Sequence, residues 1–219
     1  MNDNNVTVRG IVIKHIPVGE TDLAVTLLTL ERGKISAFAR GAKKPNGKLT
    51  GNVEPFCFGS FKLFEGRTSY NIIETDIENY FECFRQDLEG ACYGTFFLEL
   101  ADYYSRESND EKELLALLYQ SLKALEKKSF DRRLVRCVYE IKALAIEGEY
   151  PGVPNNREYD ESTLYTLDFI INTPVSRLYT FKVSDQVLDE LVQIVSIYRK
   201  RFIDKKLNSL EMLGTFELN

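Results

Sequence analysis

Apolar and polar positions change rhythm once along this chain. Up to about residue 80, short apolar runs alternate with polar side chains and are cut by turn residues, the period-2 pattern of half-buried strands. Val6, Val8 and residues 11–13 form a first strand interrupted by Gly10, where a missing side chain permits a bend or a close backbone approach. Residues 23–30 run into a turn at Glu31-Arg32-Gly33, and residues 35–39 give a third strand. Residues 41–52, rich in Gly, Lys and Asn, read as a loop. Residues 55–64 and 69–75 supply the last two strands, joined across Glu65-Gly66-Arg67-Thr68. Five short strands in succession predict a small closed or nearly closed barrel.

Beyond residue 79 the spacing becomes helical, with almost no Gly or Pro before Gly148. Leu134, Val138, Ile141 and Ala145 share one helix face, and Gly148 and Pro151 stop that helix. Ser108, with Glu111 three residues later, matches a capping box opening a helix over 113–125. Residues 149–163 read as a loop, and residues 165–171 and 178–183, split by Asn172-Thr173-Pro174, form a candidate hairpin. Ser184 precedes a long helix from 187 to about 207, with Leu188, Leu191, Ile194, Val195 and Tyr198 on its apolar face. Arg199, Lys200, Arg201, Lys205 and Lys206 crowd its end, where cations suit the helix dipole without any ligand. The expected class is α+β: a barrel domain over 1–79, then a helical bundle over 80–219 with a hairpin insertion at about 149–183.

Composition narrows the chemistry. The 219 residues are 44% apolar and 12% aromatic, enough for a packed core. A net charge of −5 argues at first against a cation-coated nucleic-acid binder. His15 is the only histidine, which excludes a metal centre with several His ligands in one chain. Cys57, Cys83, Cys92 and Cys137 form no C-x-x-C pair and read as mostly buried small apolar residues. The N-terminal residues lack the basic and apolar regions of a signal peptide, and no apolar run is long enough to span a bilayer, so a reducing cytoplasmic setting is expected.

Resolved along the chain, the charge looks different. Residues 1–80 hold ten Lys and Arg against nine Asp and Glu, so the acidity belongs to the helices. Arg32, Lys34, Arg40, Lys43, Lys44 and Lys48 follow one another with no acidic residue between them. Such a run can track a phosphate backbone, or it can be an ordinary solvated loop. Phe38, Phe56, Phe58, Phe61, Phe64 and Tyr70 offer rings either for barrel packing or for stacking on unpaired bases. Glu20 with Asp22, and Glu74 with Asp76, are the carboxylate pairs available to a divalent-metal site, but no third convergent ligand is visible. No Walker or Rossmann phosphate loop is present.

Several short motifs occur in order: Gly10-Ile11-Val12-Ile13, Gly19-Glu20-Thr21-Asp22, Gly33-Lys34, Gly41-Ala42-Lys43-Lys44 and Pro55-Phe56, then Glu99-Leu100, Tyr139-Glu140-Ile141-Lys142-Ala143-Leu144 and Gly148-Glu149-Tyr150-Pro151. Together they resemble the RecO family of bacterial DNA repair and recombination mediators. The resemblance implies an N-terminal OB-fold, a helical domain and a small insertion that commonly binds zinc. It implies a non-enzymatic, nucleoid-associated protein that binds single- and double-stranded DNA, anneals strands, and with RecR helps load RecA where single-stranded-DNA-binding protein covers the strand. Lys43 and Lys44 inherit a DNA-contact expectation from the Gly-Ala-Lys-Lys motif. The chain departs from the family in having no cysteine between Pro151 and Val183, so no zinc or other cofactor is expected; Phe169, Ile170, Ile171, Tyr179 and Phe181 are expected to pack in place of a metal. Arg132, Arg133 and Arg136 are candidates for docking the acidic tail of single-stranded-DNA-binding protein, or are solvated helix residues. An OB-fold protein–protein adaptor with weak or lost DNA binding is the alternative, and a metal-dependent nuclease ranks third.

Overall fold

A computed structural model describes residues 4–155 and 158–217. Residues 156 and 157 of the predicted loop lie outside the described residues. The chain divides into two compact units, Met1–Glu82 with Leu98–Leu115, and Cys83–Phe97 with Ala116–Asn219.

The first unit is built on five strands: β1 (Asn5–Val18), β2 (Asp22–Thr29), β3 (Gly33–Ala39), β4 (Phe58–Glu65) and β5 (Tyr70–Asn79). They close into an OB-like barrel in the order β1-β2-β3-β5-β4. Closure depends on β1 being long enough to serve two partners, with residues 10–18 against β2 and residues 5–11 against β4. Gly10 and Gly59 face each other where it turns from one to the other. A Cβ on Gly10 would stand 2.2 Å from the Leu28 carbonyl oxygen, and one on Gly59 2.2 Å from that of Asp76, so the close approach expected at Gly10 is present. Alternation places Val8, Val12, Val25, Leu27, Ile35, Ala37, Phe61 and Leu63 inside. Residues 40–57 have no regular structure, yet Ala42, Leu49, Val53 and Cys57 are buried in the same core, so this stretch plugs the barrel.

Among the described residues six α-helices follow: α1 (Leu88–Tyr104), α2 (Lys112–Leu125), α3 (Arg132–Ile146), α4 (Glu161–Asn172), α5 (Asp185–Phe202) and α6 (Asn208–Glu217). In the second unit α3 packs on α4 and α5, and Val138, Ile141, Leu167, Ile170, Leu191, Ile194 and Val195 of these helices are buried. Asp131 caps α3, Ser184 caps α5, and α5, the long helix expected after Ser184, ends at Phe202, short of the expected limit. Among the described residues no helix is long and apolar enough to cross a membrane.

Two sequence expectations fail for identifiable reasons. Ser108 has φ of +63° and does not cap α2; the Glu111 carboxylate instead accepts the Arg106 N–H at 2.8 Å, while Asp110 takes the Lys112 N–H. The candidate hairpin is α4 followed by a 3-10 turn at Val175–Arg177. Its β-branched and aromatic run mimics alternation, but Asp160 accepts the Ser162 N–H, and burial at Thr163, Thr166, Leu167 and Ile170 has helical period. Lys142 secures the end of α4 by donating to the Ile171 and Thr173 carbonyls at 2.7 and 2.9 Å. The Phe169 and Phe181 rings meet edge to face, and the Tyr198 hydroxyl donates to the Gly152 carbonyl at 2.9 Å.

Candidate nucleic-acid interface

The basic loop leaving β3 is displayed by a fixed backbone. Its buried residues hold it from beneath, and Asp22 holds it from the side: one carboxylate oxygen accepts the Gly41 N–H at 2.8 Å and the Thr21 hydroxyl at 2.9 Å. Gly41 takes a left-handed conformation, φ +67°, that brings its N–H to this carboxylate, and the Thr21 carbonyl accepts the Lys43 N–H at 2.9 Å. The Gly41 N–H and the Thr21 hydroxyl, then the nearby charges of Arg40 and Lys44, hold the Asp22 carboxyl below the ordinary carboxylate value. The second acid of that pair, Glu20, is exposed.

The six predicted cations divide into three kinds. Arg40, Lys43 and Lys44 are exposed, and none has an ion-pair partner among the described residues. Lys48 lies 3.5 Å from Glu74, both side chains well exposed. Arg32 and Lys34 are tied into the fold. Arg32 donates to Glu65 at 3.1 Å and to the Tyr70 hydroxyl at 2.5 Å, with its guanidinium over the Tyr70 ring. Lys34 donates to the Asp102 carbonyl at 2.7 Å and reaches its carboxylate at 3.3 Å.

Outward of β2 and β3 lies a groove of about 690 Å³, whose walls include Ala24, Ser36, Phe38, Arg67 and Tyr70. Of the aromatic candidates, Phe58 and Phe61 are buried and Phe56 sits in a turn with φ of +76°, so Phe56 and Phe58 do not share one strand face. Phe38 and Phe64 are the exposed rings. Arg67, which lies outside the 32–48 run, is exposed on the β4–β5 turn. Its only sequence signal was its place in a turn.

The remaining candidates are arranged for structure. Glu74 and Asp76 are exposed on β5, opposite Lys62 and Ser60, and no group of three His, Cys, Asp or Glu among the described residues is placed to hold a metal ion. His15 Nδ1 is 3.4 Å from Glu54. Arg132 pairs with Asp87 and Glu89, and Arg133 with Asp131 and, at 3.9 Å, Asp189. Arg136 is only 1% exposed and lies 3.4 Å from Glu140, which Arg199 also grips at 2.6 and 2.8 Å. Burial therefore removes Arg136 from any docking surface.

Residues 1–81 match the family model for the recombination protein O N terminal, and residues 85–154 and 149–211 match that for the recombination protein O C terminal. The DNA repair protein RecO of Acetivibrio thermocellus is 27% identical across 98% of both chains. That of Clostridium perfringens is 27% identical over 93% of this chain and 95% of the relative. That of Bacillus subtilis is 34% identical over 65% of this chain and 55% of its own.

Proposed function

The chain belongs to the RecO family of DNA repair and recombination proteins, and from that premise we propose a non-enzymatic recombination mediator whose barrel grips single-stranded DNA by its phosphates. On this reading it anneals complementary strands and, with RecR, assists RecA loading on strands covered by single-stranded-DNA-binding protein. The observation that carries the DNA contact is the loop itself: Arg40, Lys43 and Lys44 stand exposed, with no ion pair among the described residues, on a backbone pinned by Asp22 and the barrel core. Arg32 and Lys34 support the barrel instead, and Lys48 contributes weakly because Glu74 already faces it.

The count of free cations gives the test. Three phosphate contacts on a single strand predict a log–log salt slope of about −2, where all six would give about −4. Binding of a fluorescent oligothymidylate across a salt series measures it. Lys43→Glu with Lys44→Glu is expected to lower affinity at least roughly 25-fold at 0.1 M salt, because each contact releases about 0.7 counterion. Unchanged affinity in that variant would leave the barrel as a protein–protein adaptor.

A further inference from the structure

Phe38 faces outward on β3 with 37% of its surface exposed, although a barrel of this size has every use for a ring inside. The strand register shows that it is not isolated. Ile16 on β1 stands opposite Ala24 on β2, and Ala24 stands opposite Phe38 on β3. Opposed side chains lie about 5 Å apart, so the three make one apolar stripe across three strands, with Ile16 50% exposed at its edge. The neighbouring row is Lys14, Thr26 and Ser36, and Val18 and Asp22 begin the row on the other side.

Cations stand at the loop end of the stripe and across the groove from it. Arg40 follows Phe38 by two residues, and Lys43 is bonded to Thr21 just beyond the Asp22 end of β2. Arg67 and Phe38 line the same groove. The groove also has acids, Glu31, Glu65 and Glu107, but Glu65 is engaged by Arg32. Its volume suits small-molecule-sized ligands, roughly one or two nucleotides, and not a duplex.

We propose that the Ile16–Ala24–Phe38 stripe receives the unpaired bases of a single strand, with Phe38 as the stacking platform that decides single strand over duplex. The inference rests on the DNA-binding reading above and adds a division of labour to it. The loop cations attract any polyanion, whereas the stripe needs a base whose faces are free, which a duplex withholds.

Three probes of equal length separate these roles: a twenty-nucleotide oligothymidylate, an abasic strand with the same phosphates, and a duplex. The wild-type protein is expected to bind the oligothymidylate at least about 5-fold more tightly than the abasic strand, the lower limit for stacking one base. Phe38→Ala is expected to lose that preference while keeping its affinity for the abasic strand and the duplex, and Phe38→Tyr to retain it. Equal wild-type binding to based and abasic strands overturns the proposal, as does a Phe38→Ala loss shared by all three probes. A Phe38→Ala change in solution mass with the preference intact would make the stripe a self-association surface and also overturn it. The underlying DNA reading fails separately, if Lys43→Glu with Lys44→Glu weakens none of the three.

Discussion

The loop after β3 and the start of α3 look alike in sequence and differ in the folded chain. Each offers three cations within five residues, Arg40, Lys43 and Lys44 in one and Arg132, Arg133 and Arg136 in the other. On α3 every arginine meets acids: Asp87 and Glu89 at Arg132, Asp131 and Asp189 at Arg133, Glu140 at Arg136. At the loop Asp22 commits an oxygen to the Gly41 N–H, and Arg40, Lys43 and Lys44 are exposed with no ion pair among the described residues. A run of positive residues is therefore a site only after the counter-ions brought by folding have been subtracted.

The largest effect that tests this contrast is at Arg136. Removing it as Arg136→Ala leaves a cavity and strips Glu140 of a cationic partner in a place with little water. A loss of about 3 kcal/mol of unfolding free energy is expected by urea titration, with the DNA affinity of the folded protein unchanged. Arg136→Met, closer in volume, should lose less. The loop variant Lys43→Glu with Lys44→Glu should show the opposite profile, weakened DNA binding at nearly constant stability. A common profile for the two regions would dissolve the contrast.

The contrast also explains what was readable beforehand. The barrel strands and α3 are legible because alternation, turn residues and helical spacing are local properties of the sequence, whereas the loop after β3 reads as solvated and its buried Ala42, Leu49 and Val53 emerge only in the fold. Lys34 reads as a candidate phosphate contact in the sequence because Asp102, its partner, is 68 residues away and no local pattern joins them. Arg32 and Glu65 are 33 residues apart, brought together by the barrel. The α4 segment misled because its rhythm fits a strand over seven residues, and only the Asp160 cap and the burial of Thr163 and Thr166 reveal the helix. Phe38 was visible as a ring but not as an exposed one, since that depends on its register with Ala24 and Ile16.

Arg32 is the intermediate case, and it sharpens the contrast. Its pair with Glu65 is about one-third exposed on the arginine side, so the pair adds little stability and a phosphate competes with the carboxylate for the same guanidinium. Glu65→Gln keeps an acceptor for Tyr70 and Arg32 while removing the charge. It should steepen the salt slope by about 0.7 and tighten single-strand binding roughly 5-fold at 0.1 M salt, with a melting temperature close to that of the wild type. An unchanged slope would mean that Arg32 belongs with the α3 arginines, fully committed to the fold.

The smallest effect concerns the anchor on which the free loop depends. The Asp22 carboxyl is held below its ordinary value of 3.8, first by the Gly41 N–H, then by the Thr21 hydroxyl, with Arg40 and Lys44 adding to them. A lowered folded value means that the anchor's contribution is complete above the unfolded value and is lost as pH falls through the folded one. The loop should therefore keep its neutral-pH geometry down to about pH 4 and loosen only below it. In an NMR titration the Gly41 amide is expected to shift with a midpoint under 3.8, and in Asp22→Asn, where an uncharged oxygen still accepts the bond, that titration should vanish. A Gly41 midpoint at or above 3.8 would show that Asp22 is not holding the loop, and the difference between loop and helix would then need another cause.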